Sequence, residues 1–262
     1  MHSPGGPPDL MKVAAIQYDI AWNNRDTNFR HVTSLLRSAK SAGVDFAVLP
    51  EMFSTGFVVD SQESGEPIGG PSSQFLIDMA SDLSMWIAGS CPEYDTDDPR
   101  PYNSLVIASP EREVFRYRKI HPFTYGGEDR HYRAGNSFLT VPINGLRVSF
   151  FVCYDLRFAD EFWNLAHQTD LYVIPANWPT SRREHWLALL TARAIENQAF
   201  VLGCNRIGTG GGLDYSGESR IIDPLGKTIG HGTSQEMILT ADISAQTVID
   251  VRKKFPFLAD RR

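Results

Sequence analysis

The sequence predicts an α/β fold. Short apolar segments alternate with stretches of helical periodicity from residue 11 onward, and several of those segments are apolar at every position. Residues 12–18 read as a buried strand. Phe29, Val32, Leu35, Leu36 and Ala39 share one helical face, with Gly43 as the stop. Residues 45–49 form a continuous apolar strand that runs into Pro50 and Glu51. Phe75, Leu76, Met79, Ala80 and Leu83 mark a second helix, followed by a strand over 86–90. Residues 104–109 and 113–118 pattern as two strands joined at Pro110 and Glu111, and a polar loop with Gly126 and Gly127 follows. A strand over 146–152, a helix over 159–167 and a strand over 171–174 come next. The longest helix covers 182–198, with Trp186, Leu189, Leu190 and Ile195 inward; strands at 200–202, 219–222 and 237–241 complete the pattern. Strands apolar at every position need cover on both faces, whereas 113–118 and 219–222 are mixed. Helices outside and two sheets between them satisfy both facts.

Residues 1–10, rich in Pro and Gly, read as a disordered leader. No linker-like shift follows, so 11–262 reads as a single domain. Hydrophobic residues make up 42% and charged residues 21%, which excludes a disordered chain. A net charge of −6 argues against nucleic acid as a partner. The sequence has no apolar run of the roughly 20 residues a membrane span needs, and no secretory pattern opens it. Cys91, Cys153 and Cys204 are an odd number without disulfide-like spacing, which points to a reducing, cytoplasmic setting. The histidines have no ligand spacing, so no metal is expected. The run Gly208-Thr-Gly-Gly-Gly212 lacks a following Lys-Ser/Thr and reads as a flexible connection.

Four residues stand out as chemistry. Cys153 sits where a strand gives way to a helix, a place where backbone N–H groups favour thiolate; the bland reading is a buried structural thiol. Glu51 follows four apolar residues, and half-burial there suits a base near neutral pH; the alternative is a loop cap. Lys119 ends a strand and could hold an oxyanion, or be a solvated edge. Glu128 lies in a glycine-bearing loop and by itself reads as solvent-facing.

The runs Leu49-Pro-Glu-Met-Phe53, Tyr117-Arg-Lys-Ile-His121 and Val152-Cys-Tyr-Asp-Leu-Arg-Phe158 resemble, in order, the glutamate, lysine and cysteine motifs of the nitrilase (carbon–nitrogen hydrolase) superfamily. Ala176-Asn-Trp-Pro179, the segment 191–198 and Gly203-Cys-Asn-Arg206 are most similar to bacterial ω-amidases of the YafV type. The resemblance implies a four-layer αββα sandwich, a homodimer, and a triad of Glu51, Lys119 and Cys153 with Glu128 beside it. Pro122 departs from the leucine usual in that family.

The activity then expected is a cofactor-free thiol hydrolase of small carboxamides, with water as co-substrate and 2-oxo ω-amides such as 2-oxoglutaramate as the substrate class. Carbamoyl-amine or nitrile hydrolysis are the rivals within the family, and a non-catalytic binding protein the rival outside it. The Tyr154 N–H would join the oxyanion site. Phe53 and Trp178 would supply an apolar wall, Asn177 would lie at the substrate, and Arg182, Arg183 or Arg206 would meet the substrate carboxylate. Arg157 and Arg193 would tie the core through Asp155 and Glu196. Phe158, Phe162 and Trp163 would mark a dimer contact.

Overall fold

The computed structural model describes residues 10–60, 64–95 and 98–261. The leader expected over 1–10 therefore lies, apart from Leu10, outside the described residues.

Two sheets form the centre. The first is built from β1 (Met11–Gln17), β2 (Phe46–Val48), β3 (Glu66–Pro67), β4 (Trp86–Tyr94), β5 (Tyr102–Ala108) and β6 (Val114–Arg118). The second uses β7 (Thr140–Ile143), β8 (Leu146–Phe150), β9 (Leu171–Ala176) and β10 (Phe200–Asn205). A separate hairpin, β11 (Ile207–Gly210) with β12 (Leu213–Ser216), is followed by β13 (Arg220–Ile222), β14 (Thr228–His231) and β15 (Met237–Ile243). The strand orders are β15-β1-β2-β4-β5-β6, with β3 beside β4, and β14-β13-β10-β9-β8-β7. The chain begins in one sheet, moves to the other at β7 and returns with β15, which pairs antiparallel with β1.

Alternation along the strands explains why they read as uniformly apolar. Val13 and Ala15 of β1 face the second sheet, while Ala14 and Ile16 face the helices. Leu105 and Ile107 of β5 divide from Val106 and Ala108 in the same way. The helices α1 (Arg25–Ser41) and α2 (Pro71–Leu83) cover the outer face of the first sheet through Val32, Leu36, Leu76 and Ala80. Asn24 accepts the Thr27 N–H at the start of α1, and Pro71 opens α2, where its missing N–H costs nothing. After the short α3 (Glu128–His131), α4 (Ala159–Leu165) and α5 (Arg183–Asn197) cover the second sheet with Phe162, Leu165, Trp186 and Leu190. The result is a four-layer αββα sandwich. A last helix, α6 (Ala245–Lys254), buries Val248.

The structure corrects several sequence expectations. Ile195 of α5 is exposed, not inward, because Trp186, Leu190 and Ala194 already fill the stripe against β10. Phe162 is core, stacked on Phe151 at 4.0 Å, and Phe158 stacks on His121 at 3.7 Å. Of the three residues expected at a dimer contact, only Trp163 has a largely open face. The segment 208–212 is the end of β11 and the turn of the β11–β12 hairpin, with Gly211 and Gly212 at the positive φ such a turn requires. Among the described residues no helix is long and apolar enough to cross a membrane.

Candidate active site

Four strand ends converge. Glu51 follows β2, Lys119 follows β6, Cys153 follows β8, and Asn177 follows β9. Parallel strands place their C-terminal ends together, and crevices in α/β folds open there. Cys153 adopts φ +46°, a left-handed conformation uncommon for a side-chain-bearing residue, and opens a 3₁₀ turn over Cys153–Arg157.

Lys119 Nζ donates to Glu51 Oε1 at 3.0 Å and to Glu128 Oε2 at 2.7 Å, with all three side chains buried. The expected solvated edge at Lys119 and solvent-facing Glu128 are thus both replaced by a closed ionic cluster. Glu51 Oε2 accepts the Asn177 N–H at 2.9 Å, and Asn177 Nδ2 returns a bond to the Glu51 carbonyl at 2.7 Å. Burial alone would lower the Lys119 pKa, but the charges of Glu128, Glu51 and Cys153 outweigh it and hold it well above its ordinary value. Burial pushes Glu128 up; the Lys119 ammonium opposes, and the Glu51 charge adds to the rise.

Cys153 differs from its sequence reading. Burial raises the thiol well above its ordinary value, the Glu51 charge adds to that, and Lys119 only partly offsets it. A short 3₁₀ turn, not an α-helix, follows the residue, so the expected helix field is weak. The resting group is a neutral thiol beside Glu51, donating a long hydrogen bond of 4.0 Å to the Asn177 carbonyl.

A family model described as carbon–nitrogen hydrolase matches residues 12–253. The chain belongs to that family. It is 36% identical to the omega-amidase YafV of Escherichia coli strain K12, over 95% of this chain and 96% of the relative. It is 32% identical to a 2-oxoglutaramate amidase of Bacillus subtilis strain 168, over 95% and 97%. The crystal structure of XC1258 from Xanthomonas campestris, a CN-hydrolase superfamily protein with an arsenic adduct in its active site, superposes with a TM-score of 0.92. That pair shares 32% identity, with 97% of each chain covered.

In this carbon–nitrogen hydrolase the cluster forms the floor of a cavity of about 220 Å³. Tyr154, Asn177, Trp178 and Arg182 line it, as the sequence suggested. Phe53 does not. Its ring is buried in the outer core against Phe29 and Phe75, and Phe57, one turn further on, takes the wall position. Arg183 is bound to Glu218 and Glu184, and Arg206 is buried under the hairpin on Asp19 and the carbonyls of Ile20, Ile207 and Thr209. Neither reaches the cavity. Arg193 does pair with Glu196, at 2.8 Å, but Arg157 leaves Asp155 and turns into the cavity over the Trp178 ring. Asp155 instead bonds Tyr117, His121 and the Val152 N–H, lashing the β6 end to the cysteine turn. Sequence reasoning missed Arg157, Phe57, Trp22 and Tyr215, which come from distant segments. It also missed Asn103, whose signal was a polar residue near the start of a strand that is apolar from Leu105 onward.

Proposed function

We propose that the protein is a thiol amidohydrolase of the ω-amidase type, releasing ammonia from the terminal carboxamide of small 2-oxo dicarboxylic acid monoamides such as 2-oxoglutaramate. The observation that carries this is the charge of the cavity. Its floor has a neutral thiol beside a carboxylate and an ammonium. Its wall has two guanidinium groups, Arg157 and Arg182, with no carboxylate partner among the described residues. In a chain of net charge −6, two unpaired cations beside an apolar wall suit a short substrate that bears a carboxylate away from its amide. Relatives named omega-amidase and 2-oxoglutaramate amidase cover nearly the whole chain and support the same reading.

Glu51 takes the Sγ proton as sulfur attacks the amide carbon. A carboxylate has about four acceptor sites, and Lys119, Asn103 and Asn177 occupy three of them, which leaves one for the thiol. An ammonium has about three donors, two of them spent on Glu51 and Glu128, so the third is available to the oxyanion. The Tyr154 N–H, second in its turn and without a partner inside it, is the other donor. Glu51 returns the proton to the leaving ammonia, the thioester forms, and Glu51 then activates water to release the acid. We further propose one domain over 11–262, a cytoplasmic setting, which the free thiols of Cys91, Cys153 and Cys204 support, and a homodimer.

The test is ammonia release across 2-oxoglutaramate, propionamide, a carbamoyl amine and a nitrile. We expect 2-oxoglutaramate to exceed propionamide by at least about a hundredfold in kcat/KM, the scale on which a site built to bind a substrate's polar group rejects the analogue that lacks it. Arg157→Ala and Arg182→Ala should erode that preference. Equal rates for the two amides would sink the ω-amidase assignment while sparing the thiol-hydrolase one.

A further inference from the structure

Asn103, the second residue of β5, is buried, and its one NH₂ group serves two masters: Nδ2 donates to Glu51 Oε1 at 2.8 Å and to Glu128 Oε1 at 3.1 Å. Its backbone carbonyl accepts the Lys119 N–H at 3.0 Å. The four groups close a ring in which each carboxylate is bridged once by the Lys119 ammonium and once by the Asn103 amide. The other face of the amide is unspent, since Asn103 Oδ1 is buried without a partner among the described residues. Turning the amide over would aim its carbonyl oxygen at two anions, so the carboxylates themselves dictate its orientation.

We infer that Asn103 is the positioning residue of this site, a neutral bridge that holds Glu51 and Glu128 apart at fixed distance and sets how readily Glu51 takes a proton. The reason lies in charge. Lys119 supplies one positive charge for two carboxylates, and a second cation in the ring would make Glu51 too weak a base. A neutral donor supports the ionised form by hydrogen bonding alone. The inference rests on the hydrolase reading, in which Glu51 is the base. The titratable groups around Glu51 are Lys119, Glu128, Cys153, Tyr132 and Tyr215, and no other residue shares hydrogen bonds with both carboxylates apart from Lys119 among the described residues.

The experiment follows Cys153 alkylation by iodoacetamide against pH, together with kcat and KM for an amide, in wild type, Asn103→Leu and Asn103→Asp. Losing both donors in Asn103→Leu should move the acid limb of alkylation up by about one pH unit. It should also lower kcat by about tenfold or more while KM stays within about threefold. Asn103→Asp keeps the shape but is competent only while the new carboxyl stays protonated, so its profile should fall on the alkaline side where the wild type is level. Cys91 and Cys204 are fully buried, and their labelling reports a lost fold. If Asn103→Leu shows such labelling, the Asn103→Asp profile decides. A wild-type pH profile preserved in both variants overturns this inference alone. A wild-type enzyme whose Cys153 alkylates as an unassisted thiol, with a rate that climbs steadily toward alkaline pH and no level region near neutrality, overturns the hydrolase reading, and this inference with it.

Discussion

The Lys119 ammonium faces two buried carboxylates, so the floor of the cavity carries one net negative charge before the thiol ionises. Removing the cation would leave two anions uncompensated. Lys119→Met should therefore lower the rate by at least about a hundredfold and stability by roughly 3–5 kcal/mol. Adding Glu128→Gln should recover part of the stability, because one orphaned charge goes, and none of the rate. Chemical denaturation and ammonia release on the two variants check both halves; a double variant no more stable than Lys119→Met would mean the cluster is not charge-limited. The pH sense follows from the raised Lys119 pKa. Its contribution is fully present below the unfolded value of about 10.4 and fades as pH climbs through the higher folded value. The stability gap between wild type and Lys119→Met should hold from neutral pH to about 10 and shrink above it. At the cysteine, Cys153→Ala should abolish turnover with the fold intact, whereas Cys91→Ala should keep activity. Glu51, Lys119 and Cys153 were legible in the sequence because each ends a strand within a run that resembles one of the family's three motifs. Asn103 and Arg157 were not, since a side chain's direction at a strand mouth or in a 3₁₀ turn depends on what packs across from it.

Between residue and fold stands the hairpin β11–β12, which the glycine-rich sequence disguised as a flexible connection. Its glycines make room for one indole. A Cβ at Gly210 or Gly211 would lie 2.6 or 2.7 Å from the Trp22 ring, and one at Gly56, just after the Glu51 motif, would lie 2.8 Å away. Trp22, Gly211, Leu213 and Tyr215 thereby form one side of the cavity, and the buried Arg206 ties the hairpin down from below. Gly211→Ala must displace the indole and should raise KM several-fold with Cys153 alkylation unchanged. Gly212→Ala is the control: its φ of +76° costs strain, but nothing lies within 4 Å of the added carbon. It should lose about 1 kcal/mol of stability and leave KM alone. Equal KM effects from both would show that the turn's backbone, not Trp22, shapes the cavity. The helix α6 was hidden for a different reason. Only Val248 of its ten residues is buried, so no apolar stripe marks it.

For the whole molecule, uniformly apolar strands required two covered faces, and that much of the sandwich was readable from pattern alone. The pairing of 237–243 with the first strand was not, because nothing local records a contact across more than two hundred residues. The same distance in sequence hides the surface on which we expect the second copy to dock. Trp163 of α4, Ile195 of α5, Leu225 and Phe257 are 44–61% exposed. The C-terminal segment folds back on the helices of the second sheet, and the turn at Leu225 reaches α5. Arg261 lies over the Trp163 ring at 3.4 Å and bonds Asn197, while a Cβ on Gly226, beside Leu225, would strike Ile195. Helix residues already packed on a sheet have no further core to enter, so an apolar group of this kind marks an interface. A homodimer through this face should give the mass of two chains by light scattering at micromolar concentration. Ile195→Glu combined with Phe257→Glu should give the mass of one chain, with Cys153 alkylation kept, because neither residue lines the cavity. A single-chain mass for the wild type would remove the dimer. A dimer that survived the double substitution would move its contact elsewhere on the sandwich.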